Sequence, residues 1–186
     1  MCDASLAMSA FAELETPRLR LRALRPDDVD AYFAMLSDPE CMRYWSGDPL
    51  TTRAQAAEVH ARDVDGHASG RALTWMLETH EGAAVGRIAL FHFAGENRRA
   101  ELGFMMRRAS WGRGYMGEAL DAVVGHAFGA LALHRLEADV DPDNAASLAL
   151  LEKRGFAREG LFRERWWVRG EWRDSIFLAR LASSTG

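Results

Sequence analysis

The chain has 186 residues, of which 48% are hydrophobic and 27% are charged, the composition of one globular domain rather than of a disordered or fibrous chain. Its 23 Lys and Arg residues are spread along the sequence and the formal net charge is −4, so we expect no nucleic-acid partner. The only two cysteines, Cys2 and Cys41, are far apart and no long apolar stretch is present, which predicts no disulfide framework, no metal site, no membrane association and a cytoplasmic location.

The first half of the chain predicts a short strand, two helices and a run of antiparallel strands. Leu alternates with Arg after Pro17, the period of a half-buried strand, and an acid-rich turn after Pro26 opens the first helix. The predicted elements are a strand at 18–24, helices at 27–37 and 52–65, and strands at 73–78, 84–93 and 100–107.

The second half contains the strongest periodic signal. Apolar residues at three-four spacing from Tyr115 to Phe128 predict a long amphipathic helix. A strand at 135–140 and a helix at 144–154 follow, with Gly155 as the helix C-cap and a further strand beginning at Phe156. Strands at 162–168 and 173–181 are predicted to form a hairpin. We expect a single domain over residues 15–182, preceded by a flexible extension at 1–14.

The segment from Gly112 to Gly117 matches the dinucleotide-binding pattern GxGxxG and opens the long helix. Four residues, Arg108 to Trp111, separate it from the strand predicted to end at Arg107, which is too many for a tight strand-to-helix turn, although Asp139 or Asp141 follows at a suitable distance. Free amides at a helix N-terminus attract phosphate, and Arg113 adds a positive charge. We therefore predict pyrophosphate binding here; a dinucleotide site and a plain turn before a helix are the alternatives.

Several ordered motifs together identify a resemblance. The string W-G-R-G-Y-M-G-E-A-L, preceded by A-E-L-G-F-M and followed by D-P-D-N-A-A-S-L-A-L-L-E-K-R-G-F, resembles the GNAT N-acetyltransferase superfamily and, more narrowly, its RimJ/RimL branch of ribosomal-protein N-terminal acetyltransferases. The resemblance covers about Glu15 to Leu181. It implies an α/β fold with a central mixed, mostly antiparallel twisted sheet, splayed fourth and fifth strands, and helices on both faces.

The resemblance also implies a cofactor, acetyl-CoA, and the residues that hold it. Pantetheine is expected along the fourth strand, the pyrophosphate on the loop amides, and the CoA arm beside the start of the next helix. The family's loop pattern is Q/R-x-x-G-x-G/A, and Trp111 and the bulky Met116 depart from it. The expected cofactor-binding residues are Met105, Met106, Arg107, Gly112, Arg113, Gly114, Tyr115, Met116, Gly117 and Asn144.

Acetyl transfer to an amine needs a neutral nucleophile, a polarised thioester carbonyl and an acid for the departing thiolate. By resemblance, Glu101 is the candidate base, directly or through water, and either Ser147 or an ordered water is the candidate donor of a proton to the departing sulfur. A solvent-facing strand residue is the alternative for Glu101, and simple N-capping is the alternative for Asn144. Aromatic pairs that could line an acceptor groove, the core or a homodimer contact are Tyr44-Trp45 and Trp166-Trp167.

These residues predict an enzyme that transfers an acetyl group from acetyl-CoA to a primary amine by direct attack in a ternary complex. The acceptor is either a protein N-terminal α-amine or a small-molecule amine, and the acids between Asp38 and Asp48 favour a cationic one. A non-catalytic acyl-CoA-binding or sensing module is the alternative from another class.

Overall fold

The computed structural model describes residues 11–182, which form eight strands and four α-helices. The strands are β1 (Leu14–Glu15), β2 (Leu19–Arg22), β3 (Ala72–Thr79), β4 (Ala84–Ala94), β5 (Arg99–Met106), β6 (Arg135–Val140), β7 (Ala157–Val168) and β8 (Glu171–Leu181). The helices are α1 (Val29–Leu36), α2 (Arg53–Ala68), α3 (Tyr115–Phe128) and α4 (Ala145–Glu152), with short 3-10 turns at Pro26–Asp28 and Arg108–Ser110.

All strands join one sheet in the order β1-β2-β3-β4-β5-β6-β8-β7. Every neighbouring pair is antiparallel except β5 and β6, which are parallel and paired only from Arg99 to Glu101 with Arg135 to Glu137. Beyond these residues the two strands diverge, β5 to Met106 and β6 to Val140. The predicted splay between the fourth and fifth strands is thereby confirmed, these strands being β5 and β6 once β1 is counted.

Two apolar cores cover the two faces of the sheet. Side chains of α3 and α4 form the larger core with residues such as Leu102 and Leu136, while α1 and α2 cover the other face of β3, β4 and β5 around Tyr32 and Met76. The local sequence sets the helix starts, since Thr52 caps α2 through the amide of Gln55 in a reciprocal capping box. Helices on both faces were predicted and are observed.

The N-terminal part of the described chain is packed against the sheet. Phe11 stacks on Trp75 at 5.2 Å between ring centroids, and the Trp75 indole donates to the Ala12 carbonyl at 2.8 Å. Leu14 then begins β1, which the sequence did not predict because two residues carry no periodicity. Residues 1–10 of the predicted extension lie outside the described residues.

The C-terminal hairpin differs from the prediction in the extent of its strands. The separate strands predicted from Phe156 and at 162–168 are one strand, β7, whose pairing with β8 shifts register after Arg158 and after Phe162. These bulges interrupt the alternation of side chains and so hide the continuity of the strand in the sequence. Within residues 11–182, no helix is both long and apolar enough to cross a membrane.

Candidate active site

A cavity of about 590 Å³ lies where β5 and β6 diverge. Its lining comes from both faces of the sheet, because the divergence of the two strands leaves a gap that connects the two faces. On the α3/α4 side the lining includes Leu102, Phe104, Val140 and, from α4 itself, Ser147. On the α1/α2 side it includes Arg87, Glu101, Gly103 and Asp139. The arrangement allows two molecules to approach one point from opposite faces of the sheet.

Glu101 reaches the cavity on the α1/α2 side. Its Oε1 lies 3.0 Å from the His92 Nδ1, and its side chain is 26% exposed, so it is neither fully buried nor a freely solvated strand residue. A bulge in β4 opposite Glu101 places His92 in the left-handed region, with φ of 50°, and turns its ring toward this carboxylate. The side chain of Glu101, the predicted base, therefore lines the cavity at the gap between the strands.

Asp139 is a second carboxylate on the same side of the cavity, which the sequence suggested only for the dinucleotide alternative. It accepts hydrogen bonds from the hydroxyl of Ser175 and, at 3.4 Å each, from the Trp166 indole and the Arg165 Nε. Burial raises the pKa of Asp139; the hydrogen bonds from Trp166 and Arg165 oppose that shift and the charge of Glu101 adds to it. The sequence did contain a signal for this position. Because Ala138 and Val140 face the core, the alternation of side chains along β6 places Asp139 on the opposite face of the sheet.

Deeper on this side, Arg87 forms an ion pair with Asp63, and the Tyr32 hydroxyl donates to the same carboxylate at 2.6 Å. Burial raises the pKa of Tyr32 well above its usual range, with the charge of Asp63 adding to the shift, so the phenol stays protonated and acts as a donor. Tyr44 and Trp45 line the cavity above this group. Of the four aromatic candidates, Trp166 also lines it and Trp167 does not.

On the α3/α4 side the cavity reaches the start of α4. Asn144 caps this helix, its Oδ1 accepting from the Ser147 amide at 3.2 Å, so the capping role expected as the alternative is present. That bond uses the amide oxygen of Asn144, and the Nδ2 group retains its own donors. Asn144 and Ser147 both line the cavity, opposite Glu101 across the gap.

The glycine loop lies outside the cavity lining, at the N-terminus of α3. Gly112 and Gly114 have φ of 72° and 79°, a left-handed conformation that any other residue adopts only with strain. The first hydrogen bond of the helix runs from the Glu118 amide to the Gly114 carbonyl, so within the described chain the amides from Gly112 to Gly117 remain available to an anion. This geometry suits a diphosphate.

Contacts from the turn between β1 and β2 hold the loop in place. Arg18 donates to the Arg113 carbonyl at 2.8 Å and pairs with Glu118 at 2.8 Å, while Thr16 donates to Glu118 at 2.6 Å. Burial acts to raise the pKa of Glu118, but the hydrogen bonds from Thr16 and Arg18 outweigh it and hold the pKa below its usual range. The side chain of Met116 is buried in the larger core, so its bulk points away from the loop surface.

The segment from Met105 to Arg107 also lies outside the cavity lining. Met105 and Met106 are buried in different cores, which leaves only their backbone to meet a ligand. The Arg107 amide donates to the Val85 carbonyl on the β4 side at 2.9 Å. Because amides alternate between the two edges of a strand, those of Phe104 and Met106 point into the gap beside β6.

Comparisons with known proteins bear on the family and the fold of this chain. A family model described as an acetyltransferase (GNAT) domain matches residues 18–157. The N-acetyltransferase p20 of Bacillus licheniformis is 34% identical over 171 residues, 90% of this chain and 95% of that protein. The structure of Mycobacterium smegmatis RimJ in complex with CoA-disulfide has 27% identity and a TM-score of 0.82, covering 90% of this chain and 83% of that one. Spermidine N(1)-acetyltransferase of Escherichia coli is 23% identical over 158 residues, 85% of this chain and 83% of that protein.

Proposed function

Because this chain belongs to the GNAT family of acetyltransferases and transfers an acetyl group from acetyl-CoA to an amine, we propose that the transfer occurs at the gap between β5 and β6. The observation that supports this is the two-sided cavity, with Glu101 on one side and Ser147 on the other. We propose that the acceptor approaches from the α1/α2 side and acetyl-CoA from the α3/α4 side.

In this proposal the chain holds the cofactor mainly through its backbone. The amides from Gly112 to Gly117 bind the diphosphate at the positive end of α3, and Arg18 keeps the loop in its binding conformation. Pantetheine lies along Met105 to Arg107, and Asn144 contacts the CoA arm. The amide of Phe104, which points into the gap, stabilises the oxygen of the thioester carbonyl as negative charge develops on it.

The proton transfers follow from the positions of the two polar side chains. Glu101 takes one proton from the acceptor ammonium, directly or through water, and so frees the nitrogen lone pair. The amine then forms the new N–C bond while the C–S bond breaks. The nitrogen then loses a second proton, which reaches the departing thiolate through the Ser147 hydroxyl. The products are the amide and the free thiol of CoA.

We propose that the chain belongs to the RimJ/RimL branch and that its first acceptor class is a peptide or protein N-terminal α-amine. The resemblance of the loop motifs and the likeness to RimJ support the branch. A polyamine is the second candidate, because the cavity lining carries six carboxylates against four guanidinium groups and a spermidine acetyltransferase is among the relatives. A cytoplasmic location and a homodimer also stay predictions.

The test is the release of free thiol from acetyl-CoA by the purified chain, with a panel of N-terminal peptides, spermidine and amino-acid amides. Glu101→Gln should lower kcat by about a hundredfold or more and Ser147→Ala by about tenfold or more, while CoA still raises the Tm of both variants. Glu96→Gln, at an exposed turn, is the control and should leave kcat unchanged.

Three outcomes would contradict the proposal in different ways. If the wild-type chain binds CoA but none of the amines causes it to release thiol, the non-catalytic acyl-CoA-binding alternative is favoured. If the wild-type chain is active and both variants retain its kcat, the roles of Glu101 and Ser147 are wrong. A dinucleotide that raises the Tm where CoA does not would favour the remaining alternative for the glycine loop.

A further inference from the structure

One side chain fastens the tip of the β7–β8 hairpin to the loop between α1 and α2. The guanidinium of Arg169 donates to the carbonyls of Met42 at 2.9 Å, Gly47 at 3.1 Å and Arg43 at 3.4 Å. Its Nε also lies 3.3 Å from Asp48, whose side chain is 81% exposed, so this ion pair contributes little by itself. The carbonyl contacts therefore provide most of the attachment.

The two segments joined by Arg169 form the same part of the cavity wall. Residues 42–48, here named the roof loop, supply Tyr44, Trp45 and Ser46 to the lining. The hairpin supplies Trp166 and Val168, together with Arg169 itself. All of these residues lie on the side of the cavity that holds Glu101, away from the glycine loop that is proposed to bind the cofactor.

The backbone at this position gives an independent reason to assign a role to the side chain. Val168 pairs with Glu171, so Arg169 and Gly170 form a two-residue hairpin turn in which both have positive φ, 51° and 83°. Turns of this kind favour Asn or Gly at the first position, because other residues are strained there. The arginine at this position is thus held in a strained conformation, and its side chain contacts the roof loop.

The geometry points to Arg169 as a positioning residue for the acceptor: it holds the roof loop against the hairpin and so sets the affinity of the cavity for the amine. This inference rests on the proposed function, because it takes the α1/α2 side as the acceptor side. Arg169 lies apart from the proposed proton transfers, so its loss should alter acceptor binding rather than the chemical step. Binding of acetyl-CoA, on the other face of the sheet, should be unaffected.

The variant Arg169→Gly tests this, because glycine accepts the left-handed turn and removes only the side chain. We expect the KM for spermidine and for an N-terminal peptide to rise about tenfold, as expected from the loss of several hydrogen bonds, with kcat and the KM for acetyl-CoA within about twofold of wild type. The Tm should change by only about a few degrees, because relief of the strained turn opposes the loss of the hydrogen bonds to the roof loop. Arg169→Lys keeps the charge but only part of the hydrogen-bond donor geometry of the guanidinium. Its acceptor KM should lie between those of wild type and Arg169→Gly.

A second readout needs no acceptor. Trypsin cleavage after Arg43, located by peptide mapping, should be about tenfold faster in Arg169→Gly because the roof loop is released. Arg163→Ala, an exposed arginine on the same hairpin, is the control and should match wild type in both experiments.

The possible failures can be told apart. If the wild-type chain turns over an acceptor and Arg169→Gly keeps the same acceptor KM, the positioning role is wrong while the proposed function stands. If Arg169→Gly has a lower kcat and a lower Tm than wild type but the same acceptor KM, Arg169 only stabilises the fold. If the wild-type chain releases thiol with neither acceptor, the proposed function fails and the inference fails with it.

Discussion

Replacing Gly112 with alanine should weaken CoA binding far more than it weakens the fold. Gly112 has φ of 72°, and a Cβ built on it meets no atom within 4 Å. In the absence of ligand the added methyl group therefore meets no steric clash and only strains the backbone. The same open space is where the diphosphate is proposed to lie, so the methyl group would obstruct the ligand.

The chain offers a closely matched control. Gly82, in the turn between β3 and β4, has φ of 87°, and its Cβ would also meet nothing within 4 Å. Alanine in the left-handed region costs roughly 1 to 2 kcal/mol at either site, which corresponds to a fall in Tm of about 2 to 8 °C for a chain of this length. Both variants should therefore lose a similar amount of stability, because both experience the same backbone strain.

CoA binding should separate the two variants. Displacing the diphosphate from one or two backbone amides removes charge-assisted hydrogen bonds worth about 1.5 to 3 kcal/mol each, so the Kd of Gly112→Ala should rise at least about tenfold. The Kd of Gly82→Ala should equal that of wild type. Isothermal titration calorimetry with CoA measures both. If Gly112→Ala is folded and binds CoA as tightly as Gly82→Ala, the loop is not the diphosphate site and the reasoning from its free amides is wrong.

Two further predictions concern the carboxylates. Because the pKa of Asp139 is raised, the folded chain binds the proton of this carboxyl more tightly than the unfolded chain does. The stability that this protonation contributes is complete below about pH 4 and is lost as the pH rises through the folded-state pKa. Thermal unfolding at stepped pH should show wild type losing stability relative to Asp139→Asn across that window, and a constant difference would contradict it. Asp28→Asn removes one of the two carboxylates paired with the buried Arg22, leaving Glu78, and should lower the free energy of unfolding by about 3 kcal/mol. Urea unfolding should show a change under about 1 kcal/mol for the exposed control Asp30→Asn, and equal losses for both variants would refute the buried pair's role.

Where a feature depends on neighbouring residues, the sequence predicted it well. The three-four spacing of apolar residues defined α3 because one helix face must be buried over several turns. The glycines of the loop and the cap at Asn144 were also predictable, since each depends on the φ or the side-chain reach of residues a few positions apart. The motifs together were specific enough to indicate the family.

The position of residues on their elements was predictable, but their meeting was not. Glu101 was placed on a strand and Ser147 on a helix, and only the divergence of β5 from β6 brings them to one cavity. Asp139 is an ordinary alternating strand residue until that gap exposes it. Its partner Ser175 lies 36 positions away, beyond the reach of any local pattern.

Arg169 shows the same limit most clearly. Its sequence, Arg-Gly-Glu, predicts a hairpin turn and nothing about the loop more than 120 positions earlier whose carbonyls it binds. By itself the sequence determined the helices, the glycine loop and the family, because backbone propensity and periodicity act over a few residues. The tertiary structure alone decided which side chains share the cavity, because that depends on where two strands part and where a hairpin packs.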